Sequence, residues 1–295
     1  MESILFEPVA SPYLVPFAGD FSLDRLPTAP PKGAPDKATN ESALAAAIEE
    51  LQALQQKLYA HDQYALLLVF QAMDAAGKDG TIKAVMSGVN PAGCQVYSFK
   101  APSSEELDHD YLWRCWKNLP ERGRIGIFNR SHYEEVLAVK VNPGFLESQR
   151  LPRRPARLVD LWAQRYESIR AAEQHWARNG LVVLKFFLNV SKDEQKKRFL
   201  ARIDDPKGHW KFSADDLKVR DDWDRYMKAY EDALGQTSRP WSPWYAIPAD
   251  SKSFMRRTVA EIIVATLQRL DLAYPELSAA ERTAMAQARA QLLSE

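Results

Sequence analysis

ALLLVF (residues 65–70) runs through a short polar segment into AAGKDGTIK (residues 75–83), and this junction decides the fold. A continuous apolar run of this kind is typical of a strand buried on both faces at the centre of a parallel sheet. The second stretch carries two glycines and predicts a tight loop that opens a helix. The sequence therefore predicts a strand, a loop and a helix in direct succession.

Four further strands are predicted along the chain, at residues 94–99, 125–128, 181–188 and 244–247. Helical patterns separate them, and polar residues mark several helix starts: Asn40 for a helix through Leu58, Ser104 for a short helix, and Ser191 with Glu194 as a capping box. Strands that alternate with helices predict an α/β fold with a parallel sheet and right-handed crossovers.

Three regions are predicted from these patterns. Residues 1–60 contain an arm punctuated by seven prolines, which prevents a long helix there, followed by the first helix. Residues 61–275 form the α/β domain, with a lid at about 200–240. Residues 276–295 form a last amphipathic helix that Ser278 and Glu281 open.

The loop after the first strand has the chemistry of a phosphate site. Unpaired amides at a helix start and the helix dipole favour bound anions, so we expect a phosphate to contact residues 75–81, namely Ala75, Ala76, Gly77, Lys78, Asp79, Gly80 and Thr81. Compared with GxxxxGK[ST], Ala72 replaces the first glycine and Asp79 replaces the Ser/Thr that holds magnesium. Asp74 can supply a metal-directed carboxylate instead. The alternative is a surface turn with a solvated lysine.

The third predicted strand ends at Asn129-Arg130, where an acid normally assists magnesium in this kind of fold. The Asn129 carbonyl can bind a metal more weakly, and Arg130 can neutralise charge on a transferring group. The alternative is an ordinary surface pair between Arg130 and Glu134. His132 is more consistent with packing than with catalysis.

A basic region after the fourth strand resembles a mobile lid that closes cations over phosphates. Arg198 and Arg202 lie four residues apart and share one helix face, and Lys211 follows. The alternative is a solvated face, because acids such as Asp216 and Asp222 are interspersed.

The composition excludes several classes of protein. The formal net charge is +0, which gives no general basic surface for nucleic acid. Cys94 and Cys115 are the two cysteines, and neither lies in a CxxC pattern of a zinc or redox site. Neither a signal sequence nor a membrane-spanning run is apparent. We therefore expect a soluble, cytoplasmic protein without nucleic-acid or membrane partners.

Several blocks of the sequence resemble the second polyphosphate kinase family. They are residues 70–83 with DAAGKDGTIK, residues 87–91, residues 99–103, residues 126–136 with NRSHYEE, and residues 220–226 with RDDWDRY. The resemblance covers roughly residues 65–270. It implies a three-layer α/β/α P-loop kinase of the thymidylate-kinase type with a parallel five-stranded sheet and a helical lid. It also implies Mg²⁺ dependence, with Mn²⁺ as a substitute, and a homo-oligomer.

The same resemblance implies roles for individual residues. Asp74 looks like the family's metal-organising catalytic aspartate, Lys78 like its loop lysine, and Arg130 like the arginine of its second motif. Other branches have Asp at Asn129 and Asn at Glu134, and the form found here looks like the branch that phosphorylates both AMP and ADP. We expect Asn129, Arg130 and Glu134 to bind the nucleotide, and Asp74 with Asn129 to bind the metal.

These features lead to one hypothesis and two rivals. Polyphosphate would lie along a basic groove made by the loop with some of Lys83, Arg198, Arg202 and Lys211, and its terminal phosphoryl group would pass to AMP or ADP, with ATP as a product. The nearest rival is an ATP-dependent nucleotide or metabolite kinase on the same core. A GTPase-like switch is disfavoured because the chain lacks an NKxD motif.

Overall fold

The computed structural model describes residues 6–18, 21–211, 213 and 215–295, with residues 208, 210, 211 and 215 described by their backbone alone. Five strands form one parallel sheet in the order β2-β3-β1-β4-β5. Their bounds are β1 (Ala65–Gln71), β2 (Cys94–Ser98), β3 (Ile125–Asn129), β4 (Leu181–Asn189) and β5 (Trp244–Pro248). The predicted five-stranded parallel sheet is confirmed.

The helices are α1 (Lys37–His61), α2 (Lys78–Val85), α3 (Ser104–Leu107), α4 (Trp113–Trp116), α5 (Ala138–Val141), α6 (Leu158–Arg178), α7 (Lys192–Asp204), α8 (Asp215–Asp221), α9 (Trp223–Thr237), α10 (Lys252–Gln268) and α11 (Ala279–Leu292). α10 packs on α1 and α2, whereas α6 packs on α9. Right-handed crossovers place these two groups on opposite faces, because the chain moves from β1 to β2 in one direction and from β3 to β4 in the other. Three layers result.

β1 lies at the centre of the strand order, and every one of its residues is buried because strands and helices cover it on all sides. β4 is equally buried over nine residues, and both strands are largely apolar, as two covered faces require, with Lys185 as the charged exception in β4. Within the described residues, no helix combines the length and apolar content needed to cross a bilayer. All residues of α11 are exposed, so this helix adds nothing to the core.

Two predicted helix starts are wrong. α1 begins after Asp36, whose side chain accepts a hydrogen bond from Thr39 N. Asn40 instead lies buried within the first turns and donates to the carbonyls of Pro35 and Asp36. Similarly, the capping residue of α3 is Ser103 and not Ser104, because Ser103 and Glu106 form the reciprocal capping box. Both errors arose because several residues that can cap a helix lie within a few positions of one another.

The N-terminal arm packs against the outer strand of the sheet. Val15 N donates to Trp244 O at 2.9 Å, and Ala246 N donates to Tyr13 O at 2.8 Å. Tyr13 and Val15 are buried by this contact. The arm therefore covers the hydrogen-bonding edge of β5, which would otherwise be open to another strand.

A charged cluster is buried between β4 and α6. Lys185 Nζ donates to Glu173 Oε2 at 2.6 Å, to the Tyr133 hydroxyl at 2.8 Å and to Thr237 O at 2.9 Å. Burial lowers the pKa of Lys185 to about 8, although Glu173 opposes this shift. Burial opposes ionisation of Glu173, but Lys185 and His132 together outweigh it and lower the pKa of that carboxyl. Both groups are therefore charged at neutral pH.

We expect Lys185→Met to lower the free energy of unfolding by about 3–5 kcal/mol, because the change leaves the Glu173 carboxylate buried without a cation. Urea denaturation of the purified variant measures this loss. The matched variant Lys185→Met/Glu173→Gln removes the stranded charge and should lose less. An equal loss in both variants would show that the charge on Glu173 is not the cause.

Candidate active site

A deep cleft lies at the edge where the parallel strands end. It encloses about 870 Å³, and the loop after β1, the ends of β2 and β3, and the helices that follow β4 and β5 line it. Ligands of open α/β sheets bind at this edge, because the loops that follow the strands converge there. Residues 74–80, which include all of the predicted phosphate loop except Thr81, form one wall of this cleft.

The backbone of the loop leaves amide groups available for an anion. Gly77 precedes α2 with φ 108°, a conformation that favours glycine, and the first helical hydrogen bond runs from Thr81 N to Gly77 O at 2.9 Å. The amides of Lys78, Asp79 and Gly80 precede that bond and have no partner one turn back. A helix start with free amides in an open cleft can bind phosphate.

Lys78 is buried at the floor of the loop. Its ammonium donates to Ala72 O at 2.7 Å and more weakly to Met73 O at 3.4 Å. Burial, and after it the nearby charge of Arg130, lower the pKa of Lys78 to about 8 against the opposing effect of Asp74. Main-chain carbonyls rather than a carboxylate hold the lysine, so an incoming phosphate competes only with neutral acceptors. The alternative of a solvated surface lysine is therefore wrong.

Arg130 lies between two carboxylates at the end of β3. Its guanidinium is 2.5 Å from Asp74 Oδ1 and 3.4 Å from Glu134 Oε2. The charge of Glu134 is the main cause that raises the pKa of Arg130 above its ordinary value, and Asp74 raises it further. Burial lowers this pKa but does not outweigh the two carboxylates. The alternative pair with Glu134 does form, but the same guanidinium also lines the cleft. Arg130 thus connects the end of β3 to the phosphate loop.

Asp74 and Asn129 provide oxygen atoms that suit a hard divalent cation. Asp74 is about one-fifth exposed and lines the cleft, and Asn129 Nδ2 donates to Asp79 Oδ1 at 2.6 Å, which directs its amide toward the loop. Among the described residues, no group of three or more His, Cys, Asp or Glu side chains is placed to hold a metal. This donor set fits Mg²⁺, which takes one or two carboxylates and completes its shell with water and substrate phosphates.

Arg198 lies under the loop and holds its shape. Its guanidinium donates to Ala76 O at 2.6 Å and to Ala249 O at 2.6 Å. Gln195 from the same helix donates to Asp74 O at 2.9 Å. Arg202 also lines the cleft and lies 3.4 Å from Asp216 of α8. Helix α7 therefore supports the phosphate loop as well as presenting charge to the cleft.

Some residues predicted to bind phosphate or the nucleotide lie elsewhere. The Thr81 hydroxyl is fully buried and faces Met255 Sδ at 3.8 Å, and its amide is already used within the helix. Lys83 is exposed and does not line the cleft. Glu134 contacts Arg130 without reaching the cleft wall. The side chain of Lys211 lies outside the described part of the chain.

The structure also brings residues into the cleft that the sequence pattern did not indicate. Lys252, Met255 and Arg256 of α10 line the wall beside the loop, and Lys100 lies at the end of β2. Ser251, which caps α10 through its hydroxyl, was the available signal that a helix starts at this edge. The sequence could not show that this helix start faces the loop after β1.

Comparison with known proteins agrees with this geometry. Residues 34–274 match the family described as Polyphosphate kinase 2 (PPK2). A Rhodopseudomonas palustris protein named ADP-polyphosphate phosphotransferase is 56% identical over 246 residues, which cover 83% of this chain and 85% of that protein. A Meiothermus ruber protein named AMP/ADP-polyphosphate phosphotransferase is 46% identical over 234 residues, covering 79% and 83% of the two chains.

A solved structure gives the same result at the level of the fold. The crystal structure of Polyphosphate Kinase 2 from Arthrobacter aurescens TC1 superposes with a TM-score of 0.82 at 38% identity, over 92% of this chain and 94% of that chain. It confirms the predicted α/β P-loop kinase fold. The lysine-bearing loop after β1, the arginine after β3 and these similarities together establish that the chain belongs to the polyphosphate kinase 2 family.

Proposed function

We propose that this chain is an Mg²⁺-dependent phosphotransferase that moves phosphoryl groups between inorganic polyphosphate and the adenine nucleotides AMP and ADP. The observation that carries the proposal is the cleft, which free loop amides, Lys78 and Arg130 line together. The names of the Rhodopseudomonas palustris and Meiothermus ruber relatives support polyphosphate as the donor and AMP or ADP as the acceptor.

The reaction needs positioning more than covalent chemistry. A terminal phosphate oxygen of ADP attacks the terminal phosphorus of the chain, and the bond from that phosphorus to the oxygen bridging to the next phosphate breaks. ATP and a polyphosphate shorter by one unit result. Both bonds are phosphoanhydrides, so the reaction can also run in reverse. The attacking oxygen is already ionised at neutral pH, and a general base is not required.

The residues of the cleft stabilise charge on the transferring group. Lys78 and the amides of α2 contact its equatorial oxygens, and Arg130 contributes a planar donor from the β3 side. Mg²⁺, when bound by Asp74 and Asn129, would neutralise the phosphates of donor and acceptor. Asp74 and Glu134 fix the guanidinium of Arg130 before substrate enters. This arrangement limits the reorganisation that the transition state requires.

The direct test mixes pure enzyme, Mg²⁺, ADP and long-chain polyphosphate without ATP. We expect ATP to form, as measured with luciferase, and to stop forming when a chelator removes the metal. AMP in place of ADP should give ADP. If no nucleotide is phosphorylated unless ATP is supplied, the chain is an ATP-dependent kinase on the same core, and the proposal is wrong.

Lys78→Ala should lower kcat by about 10²–10³-fold, because it removes a charged donor from the transferring group. The fold should survive, since the lysine bonds only to main-chain carbonyls of its own loop. Thermal unfolding of the variant, measured beside turnover, separates these two effects. Near-normal turnover by the folded variant would remove the lysine from the mechanism.

The pH profile gives a second test of the same residue. Because the pKa of Lys78 in the free enzyme is about 8, the lysine is charged below that pH and loses its proton as the pH rises through it. We expect kcat/KM for polyphosphate to fall above about pH 8, since kcat/KM reports ionisations of the free enzyme. Lys78→Arg, which remains protonated, should lack this decline even if its rate is lower. The same decline in both proteins would assign it to another group.

A further inference from the structure

The first strand of the sheet ends in a buried polar side chain that the mechanism above does not use. β1 is apolar from Ala65 to Phe70, and Gln71 follows as its last residue. The side chain of Gln71 is fully buried and does not line the cleft. Burying an amide costs free energy unless it is hydrogen-bonded, so the partners of this amide indicate its role.

The amide of Gln71 bridges a donor and an acceptor. Its oxygen accepts from Ser131 N at 3.1 Å, and its nitrogen donates to Glu134 Oε1 at 3.0 Å. The partners determine this orientation, because a main-chain N–H can only donate and a carboxylate can only accept. The Ser131 hydroxyl lies 3.3 Å from the end of the amide that faces Ser131 N. These neighbours therefore require a side chain with both a donor and an acceptor at position 71.

Both bonds end beside Arg130. Ser131 follows Arg130 directly, at the point where the chain turns with a positive φ of 63° at Arg130. Glu134 directs its second oxygen, Oε2, to the Arg130 guanidinium at 3.4 Å. With one oxygen bound by Gln71 and the other facing the arginine, the carboxylate cannot rotate without losing a partner. Gln71 thus restrains Arg130 both through its backbone and through the carboxylate that its side chain contacts.

We propose that Gln71 is a positioning residue for phosphoryl transfer, which fixes the Glu134 carboxylate and the turn after Arg130 and thereby directs the guanidinium to the transferring group. This inference rests on the proposed function. Arg130 also pairs with Asp74, but that carboxylate is shared with the metal in the proposed mechanism. Glu134 has no such second task, so the direction of the arginine depends on Glu134 and on the amide that holds it.

A carboxyl introduced at position 71 tests this arrangement, because the charges around Glu134 determine its protonation. The ionisable groups near Glu134 include Arg130, Lys78, Asp74, Glu135, and the α9 phenols Tyr226 and Tyr230. The introduced carboxyl would lie at the 3.0 Å that separates the amide nitrogen from Glu134 Oε1. Burial and the charge of Glu134 raise the pKa of this carboxyl, against the opposing effect of the two cations.

Gln71→Glu keeps the shape of the side chain and makes the bond to Glu134 dependent on pH. The protonated carboxyl donates to Glu134 as the amide does, whereas the ionised carboxyl repels it. With polyphosphate and ADP as substrates, we expect kcat of the variant to lie within about threefold of the wild-type value at about pH 5 and to fall to roughly one-tenth of it by about pH 7.5. The KM for polyphosphate should change by less than about twofold, because Gln71 does not line the cleft.

Three further variants serve as matched comparisons. Gln71→Glu/Glu134→Gln exchanges donor and acceptor and leaves one carboxylate in the pair, so its kcat relative to wild type should not change with pH over this range. Gln71→Met removes both bonds at similar length and should lower kcat by about tenfold at every pH. Gln55→Met removes a buried amide of α1 outside the cleft and should leave kcat unchanged.

Thermal unfolding shows which variants fold, and Gln71→Glu carries the test if Gln71→Met does not. A pH-independent ratio of kcat between Gln71→Glu and wild type, or a wild-type kcat in folded Gln71→Met, overturns the positioning role and leaves the phosphotransferase activity intact. The same pH dependence in Gln71→Glu and in the double variant assigns the effect to a buried charge and also overturns it. If the wild-type enzyme forms no ATP from polyphosphate and ADP, the proposed function is wrong and the positioning role is wrong with it.

Discussion

The parallel pairing of β1 with β3 is the constraint on which the active site depends. Arg130 N donates to Phe70 O at 3.0 Å, directly after Phe70 pairs with Asn129 in the strand register. That bond places the loop after β1 beside the residue that follows β3, although 56 positions separate Asp74 from Arg130. A slip by one residue would turn Arg130 away from Asp74 and disconnect the two halves of the site.

Backbone strain is concentrated at the same point. Ala75 and Arg130 both have positive φ, at 59° and 63°, a region that side-chain-bearing residues enter at a cost of about 1–3 kcal/mol each. The Arg198 bonds to the loop carbonyls and the carboxylates around Arg130 offset this cost. The surrounding structure therefore holds the donors in position before any substrate is present, which is what electrostatic stabilisation of a transition state requires.

The sequence predicted the strands and the loop well because their signals are local. The apolar run at 65–70 and the glycines at 77 and 80 determine their own conformation. The direction in which a side chain points is not determined by the local sequence alone. Thr81 follows the loop directly, yet it faces Met255, and Arg198 supports carbonyls as well as lining the cleft. The contribution of α10 depends on a contact between segments far apart in the chain, which no local pattern encodes.

The N-terminal arm has a consequence for the order in which the molecule assembles. Tyr245 donates from its hydroxyl to Val9 O at 3.1 Å, across a separation of 236 positions. The ribosome synthesises Val9 long before Tyr245. The arm therefore has no β5 edge to pair with until most of the chain has been made. The contact also closes a long loop, and the entropy of that closure must be offset before the contact contributes to stability. Docking of the arm is thus the step in which a newly made chain covers the free edge of β5.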